Sequence, residues 1–168
     1  MRLLVNALLI EVGWYVCVVL GNVAALFYLA CALVVHFSYV SRSFGEVRFV
    51  LLVAILGISV DTLLMHLGVF QWPDQAILIP FWLIALWVLF SMSFNHCLKW
   101  LRQKPWLALV LGMLFGPANY IAGIKLTGAV MPMGFLTTTA ILMVVWMLLL
   151  PALSANRLHL WSLQGART

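Results

Sequence analysis

The chain holds 168 residues, of which 66% are hydrophobic and only 8% charged, with a net charge of +5. A soluble domain carries about 25% charged residues, so this composition excludes one and points to a bilayer. The apolar runs are continuous rather than alternating, which argues against a β-barrel. Residues 1–168 therefore read as a single all-α transmembrane domain, a polytopic bundle of six helices.

Six runs approach the ~17–25 apolar residues needed to cross a hydrocarbon core. In chain order they are Leu3–Leu20, Val23–Val40, Val47–Leu67, Pro80–Leu98, Trp106–Gly123 and Gly134–Leu153. The first carries Glu11 inside its apolar run and shows no small-x-small cleavage site, so it reads as a retained span rather than a signal peptide. Gly21-Asn22 predicts a tight turn and an antiparallel hairpin of the first two spans. "SRSFGEVR", Ser41 to Arg48, is the most polar of the inner loops. The third span runs through Asp61 into "GVFQWPDQAILIP", where Trp72 and Asp74 form an outer cap. The fourth has Trp82 near one interface and Trp100 near the other, as an aromatic belt requires. In the fifth, Pro117 removes the bond to the Met113 carbonyl and predicts a kink.

With the N-terminus cytoplasmic, Arg2, Arg42, Arg48, Lys99, Arg102, Lys104, Arg157 and Arg167 all fall on the inner side and Lys125 alone on the outer. That is the positive-inside asymmetry, and it predicts an N-in, C-in topology. Arg42, Arg48, Lys99, Arg102 and Lys104 then lie where they can contact anionic lipid head groups. This placement also accounts for the basic charge without nucleic acid as a partner. Lys125 can snorkel to the outer edge or pair with a carboxylate.

Gly112, Gly116, Asn119 and Gly123 lie within about 60° of one another on the fifth span. Ala54, Gly57, Asp61 and Gly68 share a face of the third, with Met65 at its edge. Small faces let backbones approach where lipid supplies no hydrophobic drive. The two spans run in the same direction, and Asp61 and Asn119 fall at similar depth. The expectation is that these faces pack together and set Asp61 against Asn119. Intramembrane carboxyl groups are costly and normally face protein or water. Glu11, on one face with Tyr15 and Asn22, joins Asp61, Asn119 and Tyr120 in a candidate polar site.

His36 and His96 end the second and fourth spans at similar inner depth, where two imidazoles could ligate haem or a metal. Nothing in the spacing sets their azimuth, so they read as interfacial hydrogen-bonding groups, with no metal and no cofactor. His66 stands near the outer end and His159 in the tail. Cys17, Cys31 and Cys97 show no metal spacing and read as small apolar residues. No nucleophile or phosphate-loop motif is present, so no catalytic residue is named and an enzyme is not the expected class.

In these residues the chain resembles a family of small six-helix bacterial inner-membrane proteins of unknown function. The likeness rests on "DTLLMHLGVF" in the third span, "IPFWLIALWVLF" and "HCLKWL" in the fourth, "GPANYIAGIKLTGAV" in the fifth, and Trp146 with Pro151 in the last. It covers nearly the whole chain. The resemblance implies little of activity. Members are often encoded beside enzymes resembling cyclopropane-fatty-acid synthases and flavin-dependent oxidoreductases, in stress-linked gene clusters, which suggests the handling of membrane acyl chains. The family's aspartate, GP-x-x-Y stretch and aromatic helix correspond to Asp61, Gly116, Pro117, Tyr120, Trp82 and Trp87. Asn119 and Lys125 stand less securely in that pattern.

Two function classes follow. One is an accessory of lipid modification, with membrane lipids and a membrane-surface lipid-modifying enzyme as partners. The other is a small proton-coupled carrier using Glu11 and Asp61, which at this size would need a homodimer. A structural membrane subunit is the third.

Overall fold

The computed structural model describes residues 1–73 and 77–155; Asp74, Arg157, His159 and Arg167 lie outside the described residues. The first helical run, α1 (Arg2–Val35), is interrupted at Gly21, where φ is 75° and ψ −164°. Only a residue without a Cβ adopts that backbone readily, and it turns the chain back on itself. The Tyr28 hydroxyl donates to the Leu9 carbonyl at 2.8 Å, across 19 residues of sequence. On a straight helix those residues would stand about 28 Å apart. Gly13 sits at the contact between the two arms, since a Cβ there would come within 2.9 Å of the Tyr28 ring.

The second arm ends in a π-helical turn, His36–Val40. Helix α2 (Phe44–His66) follows. Gly68, with φ of 77°, ends it as a left-handed cap: the Gly68 and Val69 N–H groups donate to the Met65 and Leu64 carbonyls, each at 3.0 Å. Gly68 is therefore a helix-terminating residue and no part of the small packing face expected of it.

Helix α3 covers only Phe81–Ser91, 11 residues. The expected span Pro80–Leu98 is thus helical for little more than half its length. Met92–Leu98 form successive turns, and Lys99–Gln103 a 3-10 helix. The cause is local: the Ser91 and Ser93 hydroxyls donate to the Val88 and Phe90 carbonyls three residues back, an alternative to the helical bonding pattern. Non-helical backbone at membrane depth must be buried in protein, and Ser91, Met92, Ser93 and Phe94 are all buried.

Helices α4 (Pro105–Thr127) and α5 (Phe135–Ser154) complete the fold. Pro117 lies inside α4, whose helical backbone continues through it. Among the described residues there are five α-helices and no strand beyond an isolated Gln71–Val130 bridge. Four helical stretches, Arg2–Val40, Phe44–His66, Pro105–Thr127 and Phe135–Ser154, are long and apolar enough to cross a membrane.

The closest helix pairs are α4 with α5, α1 with α3, and α2 with α3. The expected union of the small faces of α2 and α4 is not among them. Each face instead receives a tryptophan. A Cβ on Gly57 would collide with the Trp87 ring, one on Gly116 with the Trp146 ring, and one on Gly112 with the Trp146 backbone carbonyl. The glycine pair of α4 thus seats α5, while the α2 face seats a side chain of α3. Ala54 is buried on that α2 face. Gly123 is buried, yet among the described residues a Cβ there would meet nothing within 4 Å, so it makes no close approach to them.

The bundle has two distinct ends. Asn6, His36, Glu46 and the turns after Ser91 meet at one, through Asn6 with Met92 and Cys97 and through Glu46 with His96. At the other, the Asn22 side chain accepts the Trp82 N–H at 3.0 Å, and Gln71 and Val130 exchange backbone bonds of 3.0 and 2.8 Å.

Candidate functional site

Asp61 is buried. Its carboxylate accepts the indole N–H of Trp87 at 2.6 Å and the Tyr120 hydroxyl at 2.6 Å. Three helices meet at this point: α2 supplies the acid, α3 and α4 the donors. Asn119 is not a partner. It lies on an exposed face and donates to the Phe115 carbonyl of its own helix at 2.9 Å. One residue along α4, about 100° around the axis, Tyr120 points inward where Asn119 points out.

The two donors are built into an aromatic stack. Trp87 lies parallel to Trp146, with ring centroids 5.7 Å apart and 5° between planes, and Tyr120 meets Trp146 edge-on at 5.8 Å. Gly57 and Gly116 make this possible by leaving room for the two indoles. The amphipathic rings solve the problem of a buried acid: they bring N–H and O–H groups to Asp61 and present apolar faces elsewhere.

In front of the stack is a groove of about 530 Å³ between the first arm of α1, α3, α4 and α5. That size suits a small-molecule or cofactor site. Trp87, Trp146 and Tyr120 form part of its wall, joined by Trp14, Phe90 and Phe115. Glu11, Tyr15 and Asn119 also line it, and all three are exposed. The structure therefore divides the expected polar site. Asp61 is enclosed by its donors, whereas Glu11 stands on the open groove.

A second polar cluster occupies the end where the basic residues gather. The Asn6 side chain donates to the Met92 carbonyl at 3.1 Å and accepts the Cys97 N–H at 3.2 Å. Both ends of one amide thus pin the non-helical turns to α1. Glu46, in the first turn of α2, holds His96 Nε2 at 3.1 Å and Asn95 Nδ2 at 2.8 Å. His36 Nε2 lies 3.5 Å from the same Glu46 oxygen that faces His96. Asn95 is held in turn by Arg102, which also donates to the Phe94 carbonyl at 3.3 Å.

This changes the reading of Arg102. It is half-buried and bonded to protein rather than directed at head groups, because the turns after Ser91 leave a carbonyl and an amide needing a cationic donor. Burial pulls its pKa below the ordinary arginine value, while Glu46 pushes it up; a guanidinium stays charged throughout. Arg42, Lys99 and Lys104 are exposed. Arg48 is half-exposed, with its guanidinium 5.2 Å from the Phe44 ring. With Arg2, these six described basic residues lie at one end, and Lys125, near the close of α4, at the other.

Sequence reasoning passed over Asn6 and Glu46. A lone amide in an apolar run was the available signal for Asn6. For Glu46 it was a carboxylate at the head of a span whose neighbours both end in histidine.

No curated protein and no solved structure matches the chain. A family model does, over residues 3–152, described as a protein of unknown function, DUF2878. With the apolar helices and the match along nearly its whole length, the chain belongs to the DUF2878 family.

Proposed function

We propose that this protein is a multi-pass component of the bacterial inner membrane whose groove holds a hydrocarbon chain, and that it assists the modification of membrane acyl lipids. In this reading the chain crosses six times with both termini inside, the two arms of α1 counting as separate crossings. A bend of α4 at Pro117 would shape the groove wall. The observation that carries the proposal is the groove itself, about 530 Å³ and walled by aromatic and aliphatic side chains. Such a wall holds a chain by close van der Waals packing, since lipid supplies no hydrophobic drive, and Glu11 and Asn119 offer polar contacts at its edge. The basic end, with exposed Arg42, Lys99 and Lys104, supports an inner-face orientation. It would attract anionic lipid and a surface-bound lipid-modifying enzyme. No observation favours the carrier, because Glu11 and Asp61 have separate surroundings.

The test is photo-crosslinking in nanodiscs with a diazirine-bearing fatty acid, mapped by peptide mass spectrometry. Expected is saturable labelling at Trp14, Phe90 and Phe115, displaced by unlabelled acyl lipid. Labelling spread evenly over outward residues such as Phe27 and Leu136, without saturation, would remove the proposal.

A further inference from the structure

We infer that His36, Glu46 and His96 form a binding site for a divalent transition-metal ion of the zinc type, at the basic end of the bundle and independent of the groove. The three come from three separate stretches: the π-helical turn, the start of α2 and the turns after α3. Their ligand atoms all lie within 4.8 Å of one another. Glu46 Oε1 faces both imidazoles, 3.1 Å from His96 Nε2 and 3.5 Å from His36 Nε2. Ligands around a tetrahedral ion held at ~2.0–2.1 Å are separated by about 3.3 Å, so one ion fits between the carboxylate and either nitrogen with little movement.

His36 is the observation that points to a ligand. It is 0% exposed, and among the described residues neither of its ring nitrogens has a hydrogen-bond partner. A buried polar atom left unpaired costs about 1–3 kcal/mol, and a metal ion at Nε2 would satisfy that atom directly. The Glu46 oxygen nearest Nε2 stands 3.5 Å away, longer than an ordinary hydrogen bond. The surroundings are built as metal sites are built. Asn95 fixes the second oxygen of Glu46 at 2.8 Å, and Arg102 fixes Asn95, an outer shell that holds the carboxylate in place. His96 is 17% exposed and gives the ion a way in. Two histidines and one glutamate, with a fourth position left for water, is also the ligand set of open rather than closed zinc sites.

The chelator-stripped full chain, purified in nanodiscs, would be titrated with Zn²⁺ and separately with Co²⁺. Expected are about one Zn²⁺ per chain, a visible Co²⁺ spectrum of low coordination number, and a rise in melting temperature on zinc addition. His96→Gln and Glu46→Gln should abolish all three. Asn95→Ala, which keeps every ligand, should weaken binding about 10–100-fold. The wild-type titrations stand alone if a variant does not fold. A helical wild-type chain that takes up no stoichiometric zinc and gives no such Co²⁺ spectrum overturns the proposal. So does zinc uptake unchanged in a folded His96→Gln or Glu46→Gln chain.

Discussion

Replacing Gly57 by alanine adds one methyl group to α2, and in most buried helices that change is favourable, by up to about 1 kcal/mol of helix propensity. Here it should be costly. The new Cβ would fall well inside 3.0 Å of three carbons of the Trp87 indole, and that ring must retreat by roughly 1.4–1.9 Å to regain an ordinary 3.5–4.0 Å separation. Trp87 has little room to move, because it is buried and stacked on Trp146 at 5.7 Å. Retreat also stretches its 2.6 Å bond to Asp61. Overpacking of this kind costs about 1–3 kcal/mol, and a side-chain hydrogen bond inside a membrane protein is worth about 0.6, at most about 1.7 kcal/mol. Against the propensity gain, the net expectation is a loss of about 1–3 kcal/mol. Thermal unfolding in one detergent, followed by circular dichroism, measures it. Gly123→Ala is the control, since a Cβ there meets nothing within 4 Å; it should melt at or above wild type. In a Trp87→Leu background the cost of Gly57→Ala should largely vanish, as coupled neighbours require. If Gly57→Ala behaves like Gly123→Ala, the indole does not occupy that face and the account of Asp61 fails with it.

Asp61→Asn should lose about 1–2 kcal/mol, because an amide offers one oxygen to two donors and sets its own N–H₂ against the other; a shift in tryptophan fluorescence should accompany it, and an unchanged melt and spectrum would count against the hydrogen-bonded hub. Asn6→Leu leaves the Met92 carbonyl and the Cys97 N–H unpaired, at about 1–3 kcal/mol. Hydrogen exchange should speed up selectively between Met92 and Leu98, and uniform protection there would refute the clamp. Gly21→Ala forces a side chain onto φ of 75°, costing about 1–2 kcal/mol, with the loss read as a lower melting temperature. Leu111→Trp fills the groove without touching Asp61 and should suppress saturable fatty-acid labelling while the fold survives; labelling at wild-type level would place the bound chain elsewhere.

Composition and run length alone determined that this chain is helical and fit for a membrane, because an unpaired backbone cannot sit in hydrocarbon and only long apolar helices satisfy it locally. They also determined the segregation of basic residues and the special role of Asp61, since a carboxylate in an apolar run must find partners. Which partners it finds depends on azimuth and depth across three helices, and sequence spacing does not carry that. The glycines were legible as close-contact positions, yet a missing Cβ says only that something approaches. Tertiary structure decided that Trp87 and Trp146 do so, rather than a facing glycine stripe. The fourth span marks the other limit. Its apolar run predicts a full helix, but serine hydroxyls back-bonding after Val88 and an Asn6 amide from another helix stabilise turns instead. Hydrophobicity reports the medium a segment lives in. The path of its backbone, and hence the meeting of His36, Glu46 and His96, is set by polar bonds between residues as many as 91 positions apart.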